Sequence, residues 1–231
     1  MSHDPTPKAS DTPAETSAAL SLDLGFIHRY QAAHGSDYTL LLLHGTGGNE
    51  QDLLAMGERM APGAALLSPR GKVLENGMPR FFARLAEGVF DPQEILQRSA
   101  ELADFLRLAA THYGFDSSKV IALGYSNGAN IASSLLLLYP ELLHAAALLR
   151  PMLVLEPSQL PDLSNRLSDK AVFLANGSRD PVIPMANAKQ LATMLRDAGA
   201  QVSHELNPGS HGLIKYDIIA LERWFKRLLA A

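Results

Sequence analysis

The chain has 231 residues, 47% of them apolar, a formal net charge of -4 and a pI near 6.0. That length and apolar content predict a sizeable buried core, and the acidic balance with scattered lysines and arginines excludes a basic field for nucleic acid. The absence of cysteine excludes disulfides, thiolate metal sites and a cysteine nucleophile and fits a reducing, cytoplasmic setting; no apolar run approaches the roughly eighteen residues of a membrane span.

Residues 1–20 are rich in Pro, Ser, Thr and Ala and lack the basic and apolar regions of a secretory signal. They are expected to form a flexible tail, or else an arm packed on a neighbouring subunit, ahead of one domain at 21–231. Residues 24–30 and 38–44 read as two strands joined by a turn at 34–37, which predicts an antiparallel N-terminal hairpin. A short helix is expected near 51–60. Further strands are predicted at 64–69, 120–125, 145–150, 171–176 and 201–206, most of them too uniformly apolar for a sheet with one wet face. Helical periodicity covers 92–113, 187–198 and 213–229. Asp91, Pro92 and Glu94 supply an N-cap, a first-turn proline and a reciprocal acid, and Gly199 is placed to end the second of these helices. The pattern predicts an α/β chain with an open, doubly wound, mostly parallel sheet.

The sequence GYSNG at 124–128 closes one predicted strand and opens a helical segment. Strand, tight turn and helix is the arrangement that presents a nucleophilic serine, here Ser126. A serine hydroxyl is a poor nucleophile at neutral pH and needs a base, which needs an orienting acceptor. Asp180 lies just past the strand at 171–176 and His211 just past the strand at 201–206. Both therefore belong to loops at strand C-terminal ends, in the chain order Ser, Asp, His. Asp162, Asp169 and Asp217 are weaker candidates because none closes a strand ahead of a compact loop. His204 lies within a strand, and His112 and His144 near helix ends. HGTGGNE at 44–50 follows a buried strand, and its glycines let backbone N–H groups turn toward the site. The oxyanion hole is assigned to the N–H groups of Thr46 and Asn127, with His44 holding the loop. That loop matches neither phosphate-binding glycine pattern, and no histidine pair has metal-ligand spacing, so no cofactor and no metal are expected.

The segments HGTGGNE, GYSNG, GSRDPVIP at 177–184 and SHG at 210–212 together resemble the small carboxylesterase and phospholipase-like group of α/β-hydrolases, related to acyl-protein thioesterases. RFFARLAEGVFD at 80–91 and LRPM at 149–152 are similar to the bacterial branch associated with hydroquinone-degrading dioxygenases. The resemblance spans about residues 24–229. It implies an α/β-hydrolase fold in which Ser126 attacks an acyl carbonyl, His211 moves the proton, Asp180 orients His211 and water resolves the acyl-enzyme. Dienelactone hydrolases share the fold but use cysteine where this chain has Ser126. The expected activity is hydrolysis of small soluble carboxylic esters; thioesters, aromatic esters and lactones are alternatives, as is a non-catalytic ligand-binding relative. The short segment between Arg150 and Ala171 leaves no room for a large cap. Met78, Phe81, Phe82, Met152, Ile183 and Leu213 are expected to wall an open apolar pocket. Arg80 and Arg84 either bind a substrate carboxylate or pair with acids such as Glu87 and Asp91. Family members are often dimers, so a homodimer is a candidate assembly.

Overall fold

Every residue of β2 (Thr39–Leu43), β3 (Ala65–Pro69) and β7 (Ala145–Leu149) is buried, as is all but the last residue of β6 (Val120–Tyr125). Strands that are apolar on both faces need a neighbour at each edge and helices on both sides. A computed structural model of the chain, which describes residues 23–230, shows how that need is met; the predicted tail at 1–20 lies outside the described residues. With β1 (His28–Gln31), β8 (Ala171–Gly177) and β9 (Gln201–Asn207), these strands form a seven-stranded sheet in the order β1-β3-β2-β6-β7-β8-β9. Only β1 runs antiparallel to its neighbour.

The two-residue period of the strands divides the core in two. Leu41, Leu43, Ala122 and Leu148 pack with α2 (Pro92–Tyr113), α3 (Asn127–Leu138) and α4 (Met185–Asp197). Leu40, Leu42, Ile121 and Ala147 pack on the other face with α1 (Leu54–Met60) and α5 (Lys215–Leu228). The doubly wound α/β architecture and the short helix after β2 thus agree with the periodicity. Between β7 and β8 the chain makes a three-residue 3-10 helix, Pro157–Gln159, and turns at 164–169, with no helical cap.

The N-terminal strands differ from the expected hairpin. β1 is antiparallel, but its partner is β3, with His28 opposite Pro69, and β3 separates it from β2. The reason lies in burial. The short HRYQ strand alternates between half-buried and exposed positions and suits an edge, whereas β3 is buried throughout and requires two neighbours. Crossing one strand takes about 10 Å, well within reach of the connection at 32–38.

A second sheet, not anticipated from the periodicity, pairs β4 (Val73–Glu75) with β5 (Met78–Arg80). Its turn residues Asn76 and Gly77 have φ of 52° and 79°, the two positive values of a type I′ hairpin. The Asn-Gly pair is the signal for it, and the strands are simply too short to show alternation. A Cβ at Gly71 would press on the Arg80 backbone, so that glycine lets the hairpin fold back against the loop before it.

Helix α2 begins as expected, with Asp91 Oδ1 accepting from Gln93 N at 2.9 Å and Pro92 in the first turn. Glu94 does not close the reciprocal bond; it accepts from Ala83 N at 3.3 Å and so ties the 83–90 loop to the helix. Gly199, with φ 97°, ends α4.

The chain passes from β2 to β3 on one side and then to β6 on the other. The order of strands therefore reverses between β2 and β6, and open α/β sheets form their ligand crevice at the strand C-terminal edge of such a point.

Candidate active site

The turn after β6 holds Ser126 at φ 52° and ψ -116°, a conformation costing on the order of 1–3 kcal/mol for a residue with a side chain. It is held there by Ser126 N donating to Leu149 O at 2.8 Å and Asn130 N donating to Ser126 O at 2.9 Å. The flanking glycines are required by close approach. A Cβ at Gly124 would lie 2.5 Å from Gly128 O, and one at Gly128 would collide with the carbonyls of Leu43 and His44 at the end of β2.

The structure brings Ser126 together with the two residues singled out from later loops. Ser126 Oγ lies 2.9 Å from His211 Nε2, and His211 Nδ1 lies 2.8 Å from Asp180 Oδ2. The other carboxylate oxygen of Asp180 accepts from Val182 N at 2.8 Å and Ile183 N at 3.1 Å, which fixes its plane, and its side chain is 1% exposed. With Nδ1 donating its proton in a hydrogen bond to Asp180 Oδ2, Nε2 is left to accept from the Ser126 hydroxyl. Tyr125 Oη donates to His211 O at 3.2 Å.

Asp217, weighed as an alternative acid, has another place. It is fully buried against Arg150, with Nη1 to Oδ1 at 3.0 Å and Nη2 to Oδ2 at 2.8 Å. Arg150 also donates from Nε to Ser210 O at 3.0 Å and from Nη2 to Gly212 O at 2.9 Å, the carbonyls on either side of His211, and from Nη1 to Ala175 O at 3.1 Å. Asp217 in turn accepts from Asn207 Nδ2 and Ile214 N. Every N–H of this guanidinium is used, as a buried cation requires. This network staples the His211 loop to β7 and α5, and sequence reasoning missed it because the four partner residues of Arg150 lie in two segments far from it in the chain, at 175 and 210–217.

His44 is buried, donates from Nδ1 to Gly45 O at 2.7 Å and accepts from Gly71 N at 3.0 Å. Burial pushes its pKa below the usual imidazole value. It holds the loop, as expected, and has no free nitrogen for proton transfer. Thr46 and Asn127 line the same cleft as Ser126, and their backbone N–H groups have no hydrogen-bond partner among the described residues. The Asn127 side chain accepts from Phe81 N at 2.7 Å, and Gly47 N donates to Pro79 O at 3.0 Å, so the β4–β5 hairpin braces both turns.

The expected apolar pocket requires correction. The cleft, about 270 Å³, is lined by Thr46, Tyr125, Ser126, Asn127, Asn130 and His211 at its base and by Arg80, Arg84, Glu87, Gly88, Phe90, Met152 and Val182 on its walls. Of the six residues expected to wall it, only Met152 does so. Phe81 and Phe82 are buried in the core, Phe82 edge-on to Phe90, and Ile183 packs with Met152 and Ala188 beneath the surface. Met78 is 38% exposed and packs near Gly47, and Leu213 packs against the α1–α5 face. Because Phe81 and Phe82 are buried, they form no exposed aromatic patch for an interface. Arg80 and Arg84 meet Glu75 rather than Glu87 or Asp91. His204 is half-buried and its Nε2 lies 3.0 Å from Asn176 Oδ1, while His144 is half-buried beside Tyr38. Among the described residues no group of three or more His, Cys, Asp or Glu side chains is arranged to hold a metal ion, and no helix is long and apolar enough to cross a membrane.

Comparison with known proteins gives this geometry a context. The model of the phospholipase/carboxylesterase family matches residues 30–219. The putative hydrolase MhqD of Bacillus subtilis (strain 168) is 46% identical over 194 residues, which cover 84% of this chain and 95% of MhqD. The crystal structure of the Bacillus cereus carboxylesterase superposes with a TM-score of 0.81 at 43% identity, covering 86% of this chain and 92% of that one. A carboxylesterase from Mesorhizobium loti superposes with a TM-score of 0.76 at 32% identity, covering 89% and 92%. A family model across most of the chain, joined to relatives this similar over nearly their whole length, places the protein in the phospholipase/carboxylesterase family: it is a hydrolase with the α/β-hydrolase fold.

Proposed function

We propose that the protein is a serine carboxylesterase acting on small carboxylic esters through an acyl-enzyme on Ser126. The observation that carries this reading is the continuous chain from Ser126 Oγ through His211 to Asp180, with links of 2.9 and 2.8 Å. In the proposed reaction His211 Nε2 takes the hydroxyl proton as Oγ bonds to the acyl carbon, and the carbonyl electron pair moves to oxygen. The N–H groups of Thr46 and Asn127 receive the oxyanion, a contribution worth about 10²- to 10³-fold per donor. The tetrahedral intermediate collapses, His211 returns the proton to the leaving alcohol, and water repeats the sequence to release the acid. Asp180 holds the Nδ1 proton and balances the imidazolium that forms. The reading takes residues 21–231 as one domain acting without a cofactor, and the carboxylesterase relatives support the choice of bond.

A fluorophosphonate should label the folded protein once, at Ser126, and Ser126→Ala should abolish both labelling and hydrolysis of nitrophenyl esters with an unchanged circular-dichroism spectrum. Folded wild-type protein that takes no label would overturn the reading. A chain-length series of nitrophenyl esters beside a thioester panel separates the ester reading from a thioesterase with the same machinery.

A further inference from the structure

Two arginines, Arg80 and Arg84, line the cleft beside Glu87, and Arg80 is short of partners. Arg80 has a side-chain exposure of 5%. Its Nε donates to Phe82 O at 3.0 Å and its Nη1 to Thr46 Oγ1 at 2.6 Å. Nη2 has no hydrogen-bond partner among the described residues, although the side chain lines the cleft that holds Ser126. A guanidinium removed from water normally has all five N–H groups engaged, as Arg150 does in this same protein. Burial accordingly pushes the pKa of Arg80 down.

The acids nearby do not supply what is missing. Glu75 Oε2 lies 3.1 Å from Arg80 Nε, yet that oxygen is buried and accepts no aligned hydrogen bond, and Glu75 Oε1 is taken by Arg84 Nε at 2.7 Å. Two guanidiniums thus share one carboxylate. Glu94 faces Ala83 N and Arg98. Glu87 lines the cleft but is exposed and makes no ion pair among the described residues, so water screens its charge far more than that of Arg80.

We propose that Arg80, with Arg84 beside it, forms an anion subsite, and that the ester cleaved at Ser126 carries a second carboxylate that this subsite receives. The proposal rests on the esterase reading above and names its substrate class: esters bearing a free carboxylate within a few bonds of the scissile carbonyl. A carboxylate fits the planar fork of a guanidinium, and the small cleft brings that fork and the nucleophile into one space. Arg80 is also bonded to Thr46, whose N–H is assigned to the oxyanion, so occupancy of the subsite and alignment of the acyl group would be coupled through one side chain.

The test compares nitrophenyl monoesters of succinate, glutarate and adipate with neutral esters of the same acyl length, and adds carboxyphenyl beside phenyl butyrate to cover the alcohol side. On one side or the other, wild-type kcat/KM should favour the anionic ester by about 10- to 100-fold, mainly through KM, as a charge-assisted pair predicts. Arg80→Met should bring the anionic-to-neutral ratio near one, Arg84→Gln should lower it in part, and Glu87→Gln should raise it. Calorimetric binding of glutarate against butyrate reads the subsite without turnover, and the glutarate advantage should vanish in Arg80→Met. Equal wild-type rates for charged and neutral esters on both sides would overturn the proposal. So would an Arg80→Met protein in which both fall alike, since that marks Arg80 as a brace for the Thr46 loop alone. Failure to hydrolyse any ester while still binding glutarate through Arg80 would instead count against the esterase reading and leave the subsite standing.

Discussion

Asp180 is held in one orientation against His211: Oδ1 is pinned by two backbone N–H groups and Oδ2 meets His211 Nδ1. An amide at this position could not keep that pattern, because its NH₂ would face either the N–H donors or the Nδ1 proton. Asp180→Asn should therefore favour the tautomer protonated on Nε2, which cannot accept from the Ser126 hydroxyl, and lower kcat by about 10⁴-fold with KM little changed. Steady-state kinetics on a nitrophenyl ester would show it, and a loss below tenfold would remove Asp180 from the proposed role. Ser126, Asp180 and His211 were legible as candidates because each closes a strand with a compact loop. The cleft walls were not. An apolar side chain near a strand end reads the same whether it faces a cleft or the core, and Phe82 at 0% exposure went to the core.

At the scale of elements, the loop that carries His211 has no regular structure of its own and depends on Arg150 and Asp217. Both side chains are fully buried, so removing one charge strands the other. Asp217→Asn should cost about 3–5 kcal/mol, read as a fall in the urea midpoint, and should also lower kcat as the His211 loop loosens. Replacing the pair by Met and Leu should not restore stability, since the carbonyls of Ala175, Ser210 and Gly212 would lose their donor in a dry site. A double variant as stable as wild type would show that the pair is not the staple inferred from its bonds. The β4–β5 hairpin makes a similar contribution on the opposite side of the cleft by bringing Arg80 beside Thr46. Its Asn76-Gly77 turn is a readable signal, but the strands on either side carry too few residues to display a period.

For the molecule as a whole, three half-buried or buried histidines link stability to pH. Burial is the largest influence on His44, His144 and His204, and in each the pKa lies below the ordinary 6.5. The unfolded chain therefore takes up these protons first, and ∂ΔG/∂pH of unfolding is positive in this range. Stability should be developed above about pH 6.5 and decline as pH falls from there through the lowered values. Urea midpoints at pH 7.5 and 5.5 with an unchanged m-value would reveal the loss, and equal midpoints would contradict it. The sequence by itself determined the layered α/β plan, the elbow around Ser126 and the order of the three site residues, because strand period, helix caps and a glycine-flanked serine are local patterns. Only the tertiary structure decided that β1 lies beside β3, that Arg150 grips the His211 loop and that Arg80 and Arg84 line the cleft. Each of these depends on which residues remain buried once all strands compete for neighbours, and that competition is settled among segments far apart in the chain.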